Sequence, residues 1–203
     1  MIRLFAVTFL ASLLVGPASG QQANPASPAP SNPGGMPAGT REQAPGVPAP
    51  HQTNDADRIF IHAAAIGGLA EVDAAKLAAK KGGRRVQEFA QRMIHDHAAA
   101  NDRLSALATA ESIPLPDRLD DEHSTMRDKL EQASGTQFDR TYIEGQITDH
   151  QKTAQLLEYE IGSGENADLK KLASDILPTV LDHLRMAQMI NSESSQAAER
   201  APR

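Results

Sequence analysis

The chain has 203 residues, 23% of them charged, with a formal net charge of −6, two tyrosines, no tryptophan and no cysteine. An acidic chain with so few aromatic residues lacks the basic stripe that holds phosphates and the platforms that stack bases, which sets nucleic-acid binding aside. Without cysteine there is no disulfide and no lipid anchor, so stability must come from packing alone.

Residues 1–20 carry one positive charge, Arg3, then the apolar run Leu4 to Val15, then Ala18, Ser19 and Gly20. This is the pattern of a cleavable signal peptide, cut after Gly20, and it predicts a periplasmic or secreted protein. Its loss removes one positive charge, taking the net charge from −6 to −7. No apolar stretch reaches the roughly 20 residues that a membrane span needs. Residues 21–54 hold eight of the thirteen prolines among small and polar residues, and read as a disordered tether. One domain is expected over 55–192, followed by a polar, fraying tail over 193–203.

Within the domain, Asn54 and Asp55 can cap a helix with an apolar face of Phe60, Ala63, Gly67, Ala70, Ala74, Leu77 and Ala78, closed by Gly82-Gly83. A second helix carries Val86, Phe89, Ala90, Met93, Ala100, Leu104 and Leu107, and stops near Pro114 and Pro116. A weaker pattern from Arg118 to Gln132 predicts a short connecting helix, ended by Gly135. The third long helix carries Phe138, Ile143, Ile147, Ala154, Leu157 and Ile161, and breaks at Gly162-Ser163-Gly164. The fourth carries Leu169, Leu172, Ile176, Val180, Ala187 and Ile190. Strand patterns are absent. Two tight hairpins joined by one long connection describe an all-α, up-down four-helix bundle of ferritin-like topology with a short extra helix, behind a disordered leader.

Four titratable residues lie on faces that should be apolar. Glu71 falls eleven residues beyond Phe60, about 1100° round the helix and so within about 20° of the same face. His97, His150 and His183 continue the inward stripes of the other three long helices. His51 is in the tether, while His62, His95 and His123 fall off the main stripes. A lone inward histidine is ordinarily a core residue bonded to a neighbour, and Glu71 and His97 could satisfy each other across the first hairpin. One such residue on each helix is harder to explain that way. Neutral imidazoles with a carboxylate suit one ion of zinc, copper, nickel or iron. Counting from the turns puts Glu71 and His97 at one height in the bundle, whereas His183 matches His150 only if the fourth helix starts near Asp168. Pro178 predicts a kink five residues before His183. Asp96, Asp149 and Asp182, each preceding a histidine, point about 100° away from the inward direction, where they could orient an imidazole or, the favoured reading, face solvent. Gly67 and Gly68, costing about 1 kcal/mol each in helix propensity, suggest close helix approach.

These residues together resemble an exported bacterial family, the domain-of-unknown-function 4142 family, which is grouped with ferritin-like folds. The resemblance rests on Phe60 to Leu77 with Gly67-Gly68 and Glu71-Val72, on Phe89 to His97 (FAQRMIHDH), on Phe138-Asp139 with Tyr142 and Asp149-His150, and on Leu177-Pro178 to His183-Leu184. It covers about residues 55–190 and implies the fold, but no activity. Ferritin-like di-iron enzymes use Glu-x-x-His pairs. Here Ile94, Ile147 and Val180 stand three residues before the histidines, which argues against a di-iron oxidase. The sequence therefore leaves two main readings: an exported protein that binds one transition metal through Glu71, His97, His150 and His183, or a non-enzymatic envelope or stress-related scaffold that binds a protein partner and no metal. A redox enzyme ranks behind both, because no substrate group stands out.

Overall fold

A computed structural model describes residues 53–200. The expected signal peptide, nearly all of the tether with His51, and residues 201–203 lie outside the described residues. These form five α-helices and no strand: α1 (Asp55–Lys81), α2 (Arg84–Ala110), α3 (Asp121–Gln132), α4 (Gly135–Ser163) and α5 (Ala167–Arg200). None is long and apolar enough to cross a membrane.

Local chemistry sets the helix ends. Asn54 and Asp57 form a reciprocal capping box, in which the Asn54 side chain accepts from the Asp57 N–H at 2.9 Å and the Asp57 carboxyl accepts from the Asn54 N–H at 2.6 Å. The α1–α2 turn is only Gly82-Gly83, and Gly83 N–H donates to the Asp139 side chain of α4 at 2.9 Å. Asp120 caps α3 and Asn166 caps the start of α5, accepting from Leu169 N–H at 3.1 Å.

The long helices pack as a ring in which α1 touches α2 and α4, and α5 touches α4 and α2. The short turns make α1–α2 and α4–α5 antiparallel pairs. Asp57 at the start of α1 bonds the backbone just past the end of α4, and Arg85 at the start of α2 pairs with Glu193 near the end of α5. Neighbouring helices therefore all run antiparallel, and the chain must return along the bundle between α2 and α4. Residues 111–134, with α3 packed on α1 and α4, make that crossing. This is the ferritin-like order expected from the loop lengths.

Two expectations need correction. The buried face of α1 is turned by about one residue: Ile61, Ala65 and Ala75 are buried, whereas Ala63 is exposed and Ala70, Ala74 and Leu77 are half-buried. Alanines are too small and too numerous there to mark one face, and α1 packs against three helices at once. The polar stretch from Asn191, expected to fray, continues α5 to Arg200, held by the Arg85–Glu193 pair and by Ser194 and Ser195 hydroxyls donating back to Ile190 and Asn191 carbonyls. Pro178 is exposed and lies inside α5, as the sequence places it.

The core is layered. One apolar cluster holds Ala75, Ala78, Val86, Phe89, Met93, Phe138, Tyr142 and Ile190 at the Gly82-Gly83 end. The other holds Phe60, Ile61, Leu104, Leu157, Leu169, Leu172 and Val180 at the opposite end. Along every long helix the break between the clusters falls on a polar residue: Glu71, His97, His150 and His183.

Candidate metal centre

Three histidines meet in that middle layer. One ring nitrogen from each of His97, His150 and His183 lies within 4.8 Å of the others. The ring centroids are 5.4 Å apart for His97–His150, 5.4 Å for His97–His183 and 5.5 Å for His150–His183. His150 and His183 are buried, at 1% and 0% exposure.

The outward nitrogens fix two tautomers. His150 Nδ1 lies 2.9 Å from the Gln146 carbonyl oxygen one turn earlier in α4, which can only accept, so Nδ1 carries the proton. His183 Nε2 lies 2.9 Å from Asp96 Oδ2 of α2 and is protonated for the same reason. The lone pairs then sit on His150 Nε2 and His183 Nδ1. Those two nitrogens and His97 Nε2 are buried with no hydrogen-bond partner among the described residues. Leaving such an atom unpaired costs about 1–3 kcal/mol.

Electrostatics keeps the rings neutral. Burial, then the neighbouring His183, lowers His97 to about 4, and burial, then His97 and His183, lowers His150 to about 3. Burial also lowers His183, against the raising effect of Asp96. Burial would raise Asp96, but hydrogen bonds from His95 and His183, with Arg92, outweigh it and hold that carboxyl below its ordinary value. Neutral imidazoles with bare, convergent lone pairs are the form in which histidine binds metal, and a cluster of this kind could hold an ion.

Glu71 stands beside the trio rather than within it. Its Oε1 is 3.5 Å from His150 Nδ1, whose proton already goes to Gln146. Burial, then the Asp149 charge, pushes its carboxyl up to about 8, with the Gln146 side chain pulling the other way. Tyr142, whose hydroxyl is buried and unpaired, is raised by burial and by the Glu71 charge.

A family model described as a domain of unknown function (DUF4142) matches residues 42–190. The chain belongs to this family. No curated protein matches it. Among solved structures, the DUF4142 chain is similar to the crystal structure of a DUF305 fragment from Deinococcus radiodurans, at 14% identity and a TM-score of 0.63, over 71% of this chain and 99% of that one. At that identity the similarity is one of fold.

In this DUF4142 domain the inward orientation of all four sequence-selected residues holds, and the three histidines come together. His183, whose height seemed mismatched, reaches the cluster because α5 begins at Ala167. The suggested Glu71–His97 pairing is replaced by Glu71 beside His150. Asp96 orients an imidazole rather than facing solvent alone, but it is that of His183 in α5 and not that of His97, and its other oxygen bonds His95, whereas half-exposed Asp182 pairs with Arg92 and Arg185. Among the off-stripe histidines, His62 and His95 are exposed, and His123 is half-buried against Asp120. Sequence reasoning missed Gln146 and Tyr142; the signal for both was their place one and two turns before His150 on the same stripe.

Proposed function

We propose that this protein is an exported helical domain whose role is to bind one first-row transition-metal ion in its middle layer, through His97, His150 and His183. The observation that carries this reading is the set of three buried ring nitrogens facing one another without protein partners, two of them on rings whose other N–H is anchored. Structural convenience does not account for it, since a core histidine usually satisfies both nitrogens. Metal–nitrogen bonds of about 2.0–2.1 Å would draw the rings inward by about an ångström from their present spacing. Glu71 is positioned to accompany the ion as a neighbouring carboxyl. Export rests on the sequence of residues 1–20.

Elemental analysis of the untagged mature chain purified from the periplasm tests this. About one equivalent of a single metal is expected, absent from His97→Ala and His150→Ala chains that keep their helical circular dichroism. Protein that carries no metal and takes up none of added zinc, copper, nickel or iron would refute the proposal and leave the envelope-scaffold reading.

A further inference from the structure

The histidine layer has a door on one side. A cavity of about 260 Å³ lies between α1, α2, α4 and α5, with His97, His183, Glu71 and Asp96 on its wall among apolar side chains such as Phe60 and Leu104, and with the Arg103–Asp175 ion pair also lining it. Glu71 is 5% exposed.

The two mid-helix glycines divide the work of shaping this space. A Cβ on Gly68 would lie 1.9 Å from Asn101 Oδ1, so Gly68 permits the close approach of α2 that the sequence suggested. Gly67 is different: it lines the cavity, and a Cβ there would meet nothing within 4 Å. Close packing does not explain Gly67, although glycine at mid-helix costs about 1 kcal/mol relative to alanine. Keeping the chamber open does.

Three neutral imidazoles bring no charge and the Asp96 carboxylate on His183 balances one, so one charge of a divalent ion is left uncompensated, and three protein ligands leave it a further coordination position. In an apolar chamber an uncompensated charge strongly favours an anion over a neutral guest. At about 30 Å³ per water, the volume admits about eight waters or a guest of a few heavy atoms.

We infer that the chamber is a ligand pocket opening onto the metal's remaining coordination position, and that it takes a small monoanion. The inference rests on the metal-binding reading above.

Cobalt(II), whose visible bands report its coordination, is loaded into the full mature chain and titrated with azide. A saturable change in the bands is expected. Gly67→Leu, which fills the chamber, should retain one equivalent of cobalt and bind azide at least tenfold more weakly; Ala63→Leu, at the exposed end of the lining, supplies the same test if the first variant loses helical content. Cobalt bands indifferent to azide, or azide bound equally well by the filled variants, would overturn the chamber and leave the metal site standing. A chain that takes up no cobalt would overturn the metal reading and this inference with it.

Discussion

Two carboxyl groups with opposite shifts flank the histidines, and they do different things. Asp96 is held below its ordinary value by hydrogen bonds from His95 and His183, so at neutral pH it is an anion that keeps His183 Nε2 protonated and turns Nδ1 inward. Partners of this kind typically account for 10–100-fold in metal affinity. Asp96→Asn keeps an acceptor oxygen but loses the charge, so metal affinity should fall by about 10–100-fold while the melting curve of the metal-free protein changes little; isothermal titration with zinc measures the first and circular dichroism the second. The histidines were legible in the sequence because a helix fixes direction, and a polar residue at 3.6-residue spacing among apolar ones must point inward. The partner of Asp96 was not legible. The direction of Asp96 along α2 was read correctly as off the core axis, but the residue that receives it comes from α5, 87 positions away, and a one-helix projection contains no such neighbour.

The helices are joined most elaborately where α1 begins and α4 gives way to α5. The Asp57 carboxyl caps its own helix and also accepts from the backbone N–H groups of Glu165 and Asn166, while Asn166 Nδ2 donates to Glu111 at the end of α2. Glu160 is fully buried beside it, and a Cβ on Gly164 would come within 2.3 Å of Glu160 Oε1 and 2.8 Å of Asp57 Oδ1, so only glycine lets the turn close over the pair. Burial, then hydrogen bonding to Asp57 and its charge, pushes Glu160 from 4.5 up to about 8, against the Lys170 charge. A carboxyl raised on folding adds stability that is complete below about 4.5, declines as pH rises, and is gone above about 8. Glu71 behaves alike, so from pH 7 to 8, above the titration of the unfolded histidines, the metal-free protein should lose stability as pH rises, with a slope that the two carboxyls limit to two protons and that falls to about one at pH 8. Glu160→Gln, which preserves a donor to Asp57, should roughly halve that slope in urea titrations across this range; an unchanged slope would show that Glu160 is not protonated in the fold. The capping box at Asn54 and the Gly breakers were readable as local signals. The Asp57–Glu160 pair was not, because its members are 103 positions apart and each alone looks like an ordinary acidic residue on a helix.

At the scale of the whole bundle, two apolar clusters are separated by a polar layer that contains the only convergent histidine group among the described residues. The order of the helices was legible from loop lengths alone, since a two-residue turn forces an antiparallel neighbour and a long connection permits a return along the bundle. The packing of α1 was not, because its alanines give too little contrast between faces. The layer has an energetic consequence: without an ion, three unpartnered ring nitrogens face one another across α2, α4 and α5, and an ion bonded to all three would pin those helices together. Binding to the folded chain alone stabilises it by RT ln(1 + [metal]/Kd), about 2.7 kcal/mol at a free concentration one hundred times Kd. For a domain of this size that corresponds to a rise in Tm of about 5–10 °C. Protons compete in a defined window. Histidines lowered on folding add stability that is complete above their unfolded value of about 6.5 and is lost as pH falls through about 4 and about 3. On acidification below pH 6.5 the metal-free protein should therefore lose the histidines' contribution while it gains that of Glu71 and Glu160, so that a net loss emerges below about pH 4.5, where the two carboxyls add no more. The metal-dependent rise, set by the same lone pairs, should be full at pH 7.5, shrink toward pH 4, and be absent throughout from His150→Ala. A rise that persisted in that variant, followed by calorimetry with and without added zinc, would place the ion elsewhere on the chain.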